Sequence, residues 1–147
     1  MSGGSGGGSG VSGLSPEVEA RLVEAARAAR SQAYAPYSGF AVGAAVLGES
    51  GRIYVGCNVE NAAYGATLCA ERVAVGQAVV CGERKILAAC VVAPGPQVVT
   101  PCGSCRQVLA EFGPQMVILA DNGKKRQSFL LSELLPHPFD RSHLASD

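Results

Sequence analysis

Val18, Leu22, Ala25, Ala26 and Ala29 recur at three- and four-residue intervals, the spacing that gathers apolar side chains on one face of an α-helix. Ser15-Pro16-Glu17 supplies the start: an N-cap hydroxyl, a proline at the first position and an acid that complements the helix dipole. The pattern runs to about Tyr34, and Pro36 ends it. Residues 40–47 and 52–58 read as strands joined by the hairpin Gly48-Glu49-Ser50-Gly51, and residues 60–67 as irregular loop. Residues 69–81 are apolar nearly all round with Gly82 as a stop, which predicts a buried helix rather than a surface one. A continuous apolar run over 86–93 predicts a central strand. Pro101 opens another helix to about Phe112, followed by strands at 116–121 and 127–131. The order α-β-β-α-β-α-β-β implies an α/β fold with a mixed five-stranded sheet covered by helices.

Composition narrows the class. The chain has 147 residues, 48% of them apolar and 16% charged, so it suits one folded domain and not a disordered segment. Twelve basic and twelve acidic residues balance, without the basic excess that gripping a phosphate backbone requires, so no nucleic-acid partner is expected. The cluster Lys124-Lys125-Arg126 after Asp121-Asn122-Gly123 reads as a solvated hairpin tip. No apolar stretch reaches the ~20 residues of a membrane span. Residues 1–13 are almost pure Gly and Ser, a flexible leader of linker or tag type, which leaves a domain at 14–141 and a tail at 142–147. With no secretory signal, the six cysteines point to metal binding and simple burial rather than disulfides, and to a cytoplasmic location.

The chemistry concentrates in Thr67-Leu68-Cys69-Ala70-Glu71-Arg72 and Pro101-Cys102-Gly103-Ser104-Cys105-Arg106. A lone Cys-x-x-Cys is common to redox pairs and structural zinc. Here each segment opens a predicted helix, and the gap between them holds one helix and one strand, enough to bring both helix N-termini together. Three thiolates close three corners of a tetrahedral zinc and leave the fourth for water. Cys57, Cys81, Cys90, His137 and His143 are the other residues able to close that corner, but none has motif-like spacing. Glu71, in the first turn, is placed to take a proton from bound water without ligating the metal, or else simply complements the helix dipole. Three thiolates leave zinc with a net negative charge. Two helix N-termini offset part of it, and Arg72 is placed to bond the sulfurs and offset more, or else is a plain surface arginine.

These segments closely resemble the small, homotetrameric cytidine deaminases of the three-cysteine type. The zinc-deaminase pattern of Cys-x-Glu followed by Pro-Cys-x-x-Cys falls on Cys69, Glu71, Pro101, Cys102 and Cys105. The likeness extends over residues 16–140, through Pro36-Tyr37-Ser38-Gly39-Phe40-Ala41-Val42-Gly43 and Gly56-Cys57-Asn58-Val59-Glu60-Asn61. It implies a three-layer α/β/α fold, a bound Zn2+, and hydrolysis of cytidine and deoxycytidine to uridine and deoxyuridine plus ammonia, in pyrimidine salvage. It further implies that Phe40 packs on the base, that Asn58 and Glu60 bond the ribose, and that Ala70 and Glu71 read the pyrimidine edge; ordinary loop capping is the alternative role of Asn58 and Glu60. Tyr64 and Phe139 match aromatics that complete the pocket of a neighbouring subunit. A blasticidin S-type deaminase of the same fold is an alternative reading. So is a base editor of nucleic acid, although those usually carry His where Cys69 stands. A non-catalytic zinc module, with Glu71 incidental, is the alternative from a different class.

Overall fold

The computed structural model describes residues 13–144. Helix α1 spans Pro16–Arg30, and the Ser15 hydroxyl accepts from the Val18 amide as the sequence predicts. It stops at Arg30 rather than near Tyr34. The Ser31 amide and hydroxyl both turn back to the Ala28 carbonyl, and Tyr34 instead bridges Val59 in extended form. Pro36 biases the residue before it away from the helical region, so the chain is already extended there.

The strands are β1 (Gly43–Gly48), β2 (Ile53–Cys57), β3 (Ile86–Val92), β4 (Val117–Asp121) and β5 (Arg126–Leu130). They form one sheet in the order β2-β1-β3-β4-β5, parallel only between β3 and β4. The expected β1–β2 hairpin is present, with Gly51 at φ 92° in its turn. Strand β1 begins at Gly43, not at Phe40. The Asn58 side chain takes the place of ladder partners, accepting from the Val42 amide and donating to the Phe40 carbonyl.

Helix α1 covers one face of the sheet, where Leu22, Val23 and Ala26 pack with Ala45, Leu47, Ala88, Cys90, Val92 and Leu119. Helices α2 (Ala70–Val80) and α3 (Gly103–Phe112), with the short α4 (Leu131–Leu134), cover the other. There Ala74, Val75, Ala78, Leu109 and Leu131 pack on Ala44, Val46, Ala89 and Ile118. This is the expected three-layer α/β/α arrangement.

The apolar helix predicted at 69–81 is present as α2, but a single chain does not bury it all round. Only one face of α2 is buried, through Ala70, Glu71, Ala74, Val75 and Ala78. Gly76 and Gln77 face outward and Val80 is 88% exposed. Gln77 accepts from the Val55 amide on the outer edge of the sheet, so this polar position serves the strand and not the core. The Gly/Ser leader expected at 1–13 lies, apart from Gly13, outside the described residues, as do 145–147 of the tail.

Candidate metal centre

Topology brings the cysteines together. Helix α2 leads into β3 and α3 follows it, both on the same face, so each runs back along β3 and starts near its C-terminal end. Cys69 is the N-cap of α2 and Cys102 the N-cap of α3, both extended, and Cys105 sits one turn into α3. Their three sulfurs lie within 4.8 Å of one another, in the order half-buried, exposed and buried. Among the described residues no other group of His, Cys, Asp or Glu converges in this way.

The donor chemistry fits zinc. Thiolates at tetrahedral corners ~2.3 Å from a metal stand about 3.8 Å apart, close to the spread seen here. No disulfide links any of the six cysteines. Burial pushes the Cys105 thiol upward, and Glu71 and Cys69 push it further. Three thiols this close ionise together only beside a cation, because each charge opposes the next. The two helix N-termini contribute positive potential at the same point.

Glu71 is 5% exposed, and burial raises its pKa above the ordinary carboxyl range. Its own backbone amide and Arg72 pull less strongly the other way. A carboxyl poised upward suits a group that both takes and returns a proton. Arg72 donates through Nη2 to the Thr67 carbonyl at 3.1 Å and to Cys69 Sγ at 3.8 Å. Its Nε is buried without a partner among the described residues.

Cys90 lies in the core of β3, its thiol pushed up to about 12 by burial first and then by Asp121. Cys81 is exposed at the far end of α2, Cys57 lies at the end of β2, and His143 pairs with Asp140 and stacks on Phe139. None of them joins the sulfur cluster.

A second group of expected residues surrounds the loop before β1. Asn58, nearly buried, braces Phe40 and Val42 and retains one N–H. Glu60 Oε1 accepts from the amides of Tyr37 and Ser38 at 2.9 and 3.1 Å, and Oε2 accepts from the Ser38 hydroxyl. These bonds hold the Glu60 carboxyl below its usual range, the Ser38 hydroxyl most of all. Phe40 is 40% exposed, and Ala70 is the first residue of α2. Tyr64 stands 77% exposed, edge-on to Tyr37, and Phe139 is 57% exposed.

Sequence reasoning gave no role to two residues that follow Cys105. Arg106 donates to the Pro101 carbonyl, the Thr100 hydroxyl and the Leu134 carbonyl, at 2.7, 2.9 and 2.9 Å. Gln107 grips the Phe139 backbone from both sides, Nε2 to its carbonyl at 2.7 Å and Oε1 from its amide at 3.1 Å. An Arg-Gln pair directly after a ligand on a first helical turn was the available signal.

Comparison with known proteins agrees with this geometry. The model of the cytidine and deoxycytidylate deaminase zinc-binding region matches residues 16–121. A cytidine deaminase of Sporosarcina psychrophila is 46% identical over 127 residues, 85% of this chain and 93% of that protein. One from Mycobacterium tuberculosis is 44% identical over 131 residues, covering 84% and 92% respectively. The crystal structure of cytidine deaminase from Burkholderia pseudomallei superposes with a TM-score of 0.79 at 41% identity, over 86% of this chain and all of that one. With the three-sulfur cluster, the buried glutamate and the five-stranded sheet in place, the chain belongs to the zinc-binding cytidine and deoxycytidylate deaminase family.

Proposed function

We propose that this protein hydrolytically deaminates free cytosine nucleosides, cytidine and deoxycytidine, to uridine and deoxyuridine with release of ammonia. The observation that carries the reading is the buried Glu71 carboxyl, in the first turn of a helix whose N-cap cysteine belongs to the three-sulfur cluster. Cys69, Cys102 and Cys105 would hold zinc, which when bound would supply a Lewis acid that lowers the pKa of water toward neutrality.

The protein's own groups do the rest. Glu71 takes a proton from the water that adds to C4 of the cytosine ring and delivers it to N3. Glu71 carries the water's remaining proton to the departing amino group, so the C4–N bond breaks and ammonia leaves. The Glu71 carboxyl and the backbone of Ala70 read the polar edge of the base, and Phe40 packs on its face. The spare N–H of Asn58 and the open lone pair of Glu60 offer one donor and one acceptor to the sugar hydroxyls.

Tyr64 and Phe139 are assigned to the pocket of a neighbouring subunit in a homotetramer. The exposure of both rings, and of Val80 on the outer face of α2, supports that assembly. A cytoplasmic enzyme of pyrimidine salvage, with its domain at 14–141, accords with six free cysteines. Among the described residues no helix is long and apolar enough to cross a membrane.

The test is a turnover panel on zinc-loaded protein with cytidine, deoxycytidine, blasticidin S and single-stranded DNA, following ammonia. Cytosine nucleosides alone are expected to react, and Glu71→Ala is expected to keep zinc and fold while losing about 10²–10⁴ in rate. Turnover of blasticidin S or DNA in their place overturns the substrate assignment. A Glu71→Ala variant as fast as the parent overturns the mechanism.

A further inference from the structure

Ser38 takes part in no step of the chemistry above, yet it links two residues that do. Its hydroxyl accepts from the Phe40 amide at 3.0 Å and donates to Glu60 Oε2. Its amide donates to Glu60 Oε1, beside that of Tyr37. A carboxylate has about four lone-pair positions. Both positions on Oε1 and one on Oε2 are therefore filled from the Tyr37–Ser38 segment, and one position on Oε2 remains open.

We infer that Ser38 is a positioning residue for sugar recognition: its hydroxyl fixes the rotation of the Glu60 carboxylate so that one Oε2 lone pair points at a nucleoside hydroxyl, and ties that orientation to the backbone of Phe40. The inference rests on the reading of Glu60 as a sugar ligand. Without the hydroxyl, Glu60 keeps its two amide bonds on Oε1 but loses the bond that sets the plane of its second oxygen. The Phe40 amide loses its acceptor at the same moment. Loss of the first acts only on substrates with a sugar hydroxyl to offer, whereas loss of the second acts on every substrate with the same base.

The experiment compares kcat/KM for cytidine and for 2′,3′-dideoxycytidine, which keeps the base and lacks both ring hydroxyls. In Ser38→Ala the ratio of the two values is expected to fall about fivefold, the worth of one hydrogen bond near 1 kcal/mol, and Ser38→Thr is expected to restore it. Ser38 is exposed, so the melting temperature of Ser38→Ala serves as the control for folding. Glu60→Gln, tested in parallel, is expected to lower the same ratio at least as far. A ratio unchanged in Ser38→Ala but lowered in Glu60→Gln overturns the role of Ser38 alone. A ratio unchanged in Glu60→Gln overturns the sugar role of Glu60, and the inference with it. Equal losses on both substrates in Ser38→Ala leave the residue as a brace for Phe40 and overturn the inference.

Discussion

Gly56 on β2 lies directly under the helix that carries Cys69 and Glu71, and the contact leaves no room for a side chain. A Cβ at this position would stand 2.4 Å from the Ala70 carbonyl oxygen, 2.5 Å from the Ala74 amide nitrogen and 2.9 Å from Val73 Cβ. The first two separations fall about 1 Å inside the ~3.5 Å of a comfortable nonbonded contact, the third about 0.6 Å. The two nearest atoms are backbone, so no rotamer change relieves them, and Gly56→Ala forces α2 away from the sheet. Overpacking of this kind costs about 1–3 kcal/mol, and an obstruction made of backbone belongs at the upper end. For a domain of this size ~3 kcal/mol lowers Tm by roughly 6–12 °C. A displacement near 1 Å at the start of α2 also moves Glu71 relative to the sulfurs, and misplacement on that scale costs about 10² in rate. Calorimetry, zinc content and kcat/KM on the same preparation measure all three effects. Val73→Ala in the same chain is expected not to rescue, because alanine keeps the Cβ at position 73 and the two nearer obstacles are backbone atoms. A Gly56→Ala protein with Tm within about 2 °C of the parent refutes the packing argument. One that loses stability yet keeps zinc and kcat/KM shows the strain leaving through the edge strand β2, and refutes the claim that Gly56 sets the position of α2.

Two further outcomes test the assignment of groups outside the reaction. Replacing Cys57, Cys81 and Cys90 together by Ala or Ser is expected to leave one zinc per chain, whereas Cys102→Ala alone is expected to remove it; metal analysis decides, and loss of zinc from the triple variant refutes the ligand set. Glu83 is buried below Gly48, whose missing Cβ makes room for its carboxyl, and accepts from the hydroxyls of Ser50 and Tyr54. The Ser50 bond first and the Tyr54 bond second hold Glu83 below the ordinary carboxyl range. A carboxyl depressed in the folded state adds stability above its unfolded pKa, near 4.3, and loses it as pH falls through the folded value. The Tm difference between the parent and Glu83→Gln is therefore expected to be constant from about pH 8 to 5 and to shrink below the unfolded pKa. A difference that persists undiminished to about pH 3 refutes the charged state of Glu83.

The number and order of elements were legible in the sequence because apolar periodicity and turn residues are local signals. Ser15 capped α1, Gly51 turned the hairpin, and the apolar run at 86–93 became the central strand β3. The boundaries that moved did so where distant groups compete for the backbone. Tyr34 left the helix for a bridge to Val59, and Asn58 replaced ladder partners at Phe40 and Val42. A count of apolar residues could not reveal which side of α2 met the sheet, since that depends on how β2 and α3 sit against it. Glu83, between α2 and β3, carried no spacing signal, because its partners Ser50 and Tyr54 lie far back in the β1–β2 hairpin.

Three cysteines, one glutamate and an arginine at two helix starts were legible as a candidate site along the chain, since side-chain chemistry and helix capping are written residue by residue. Their convergence came from the fold. A helix entering β3 and a helix leaving it, on one face of one sheet, set the sulfurs within 4.8 Å and closed the protein over Glu71. It also bent residues 37–40 onto Glu60, so that Ser38 takes up part of the carboxylate a sugar would meet. The reason is physical: a charge acquires its pKa and a lone pair its direction from neighbours in space, and those neighbours are far apart along the chain.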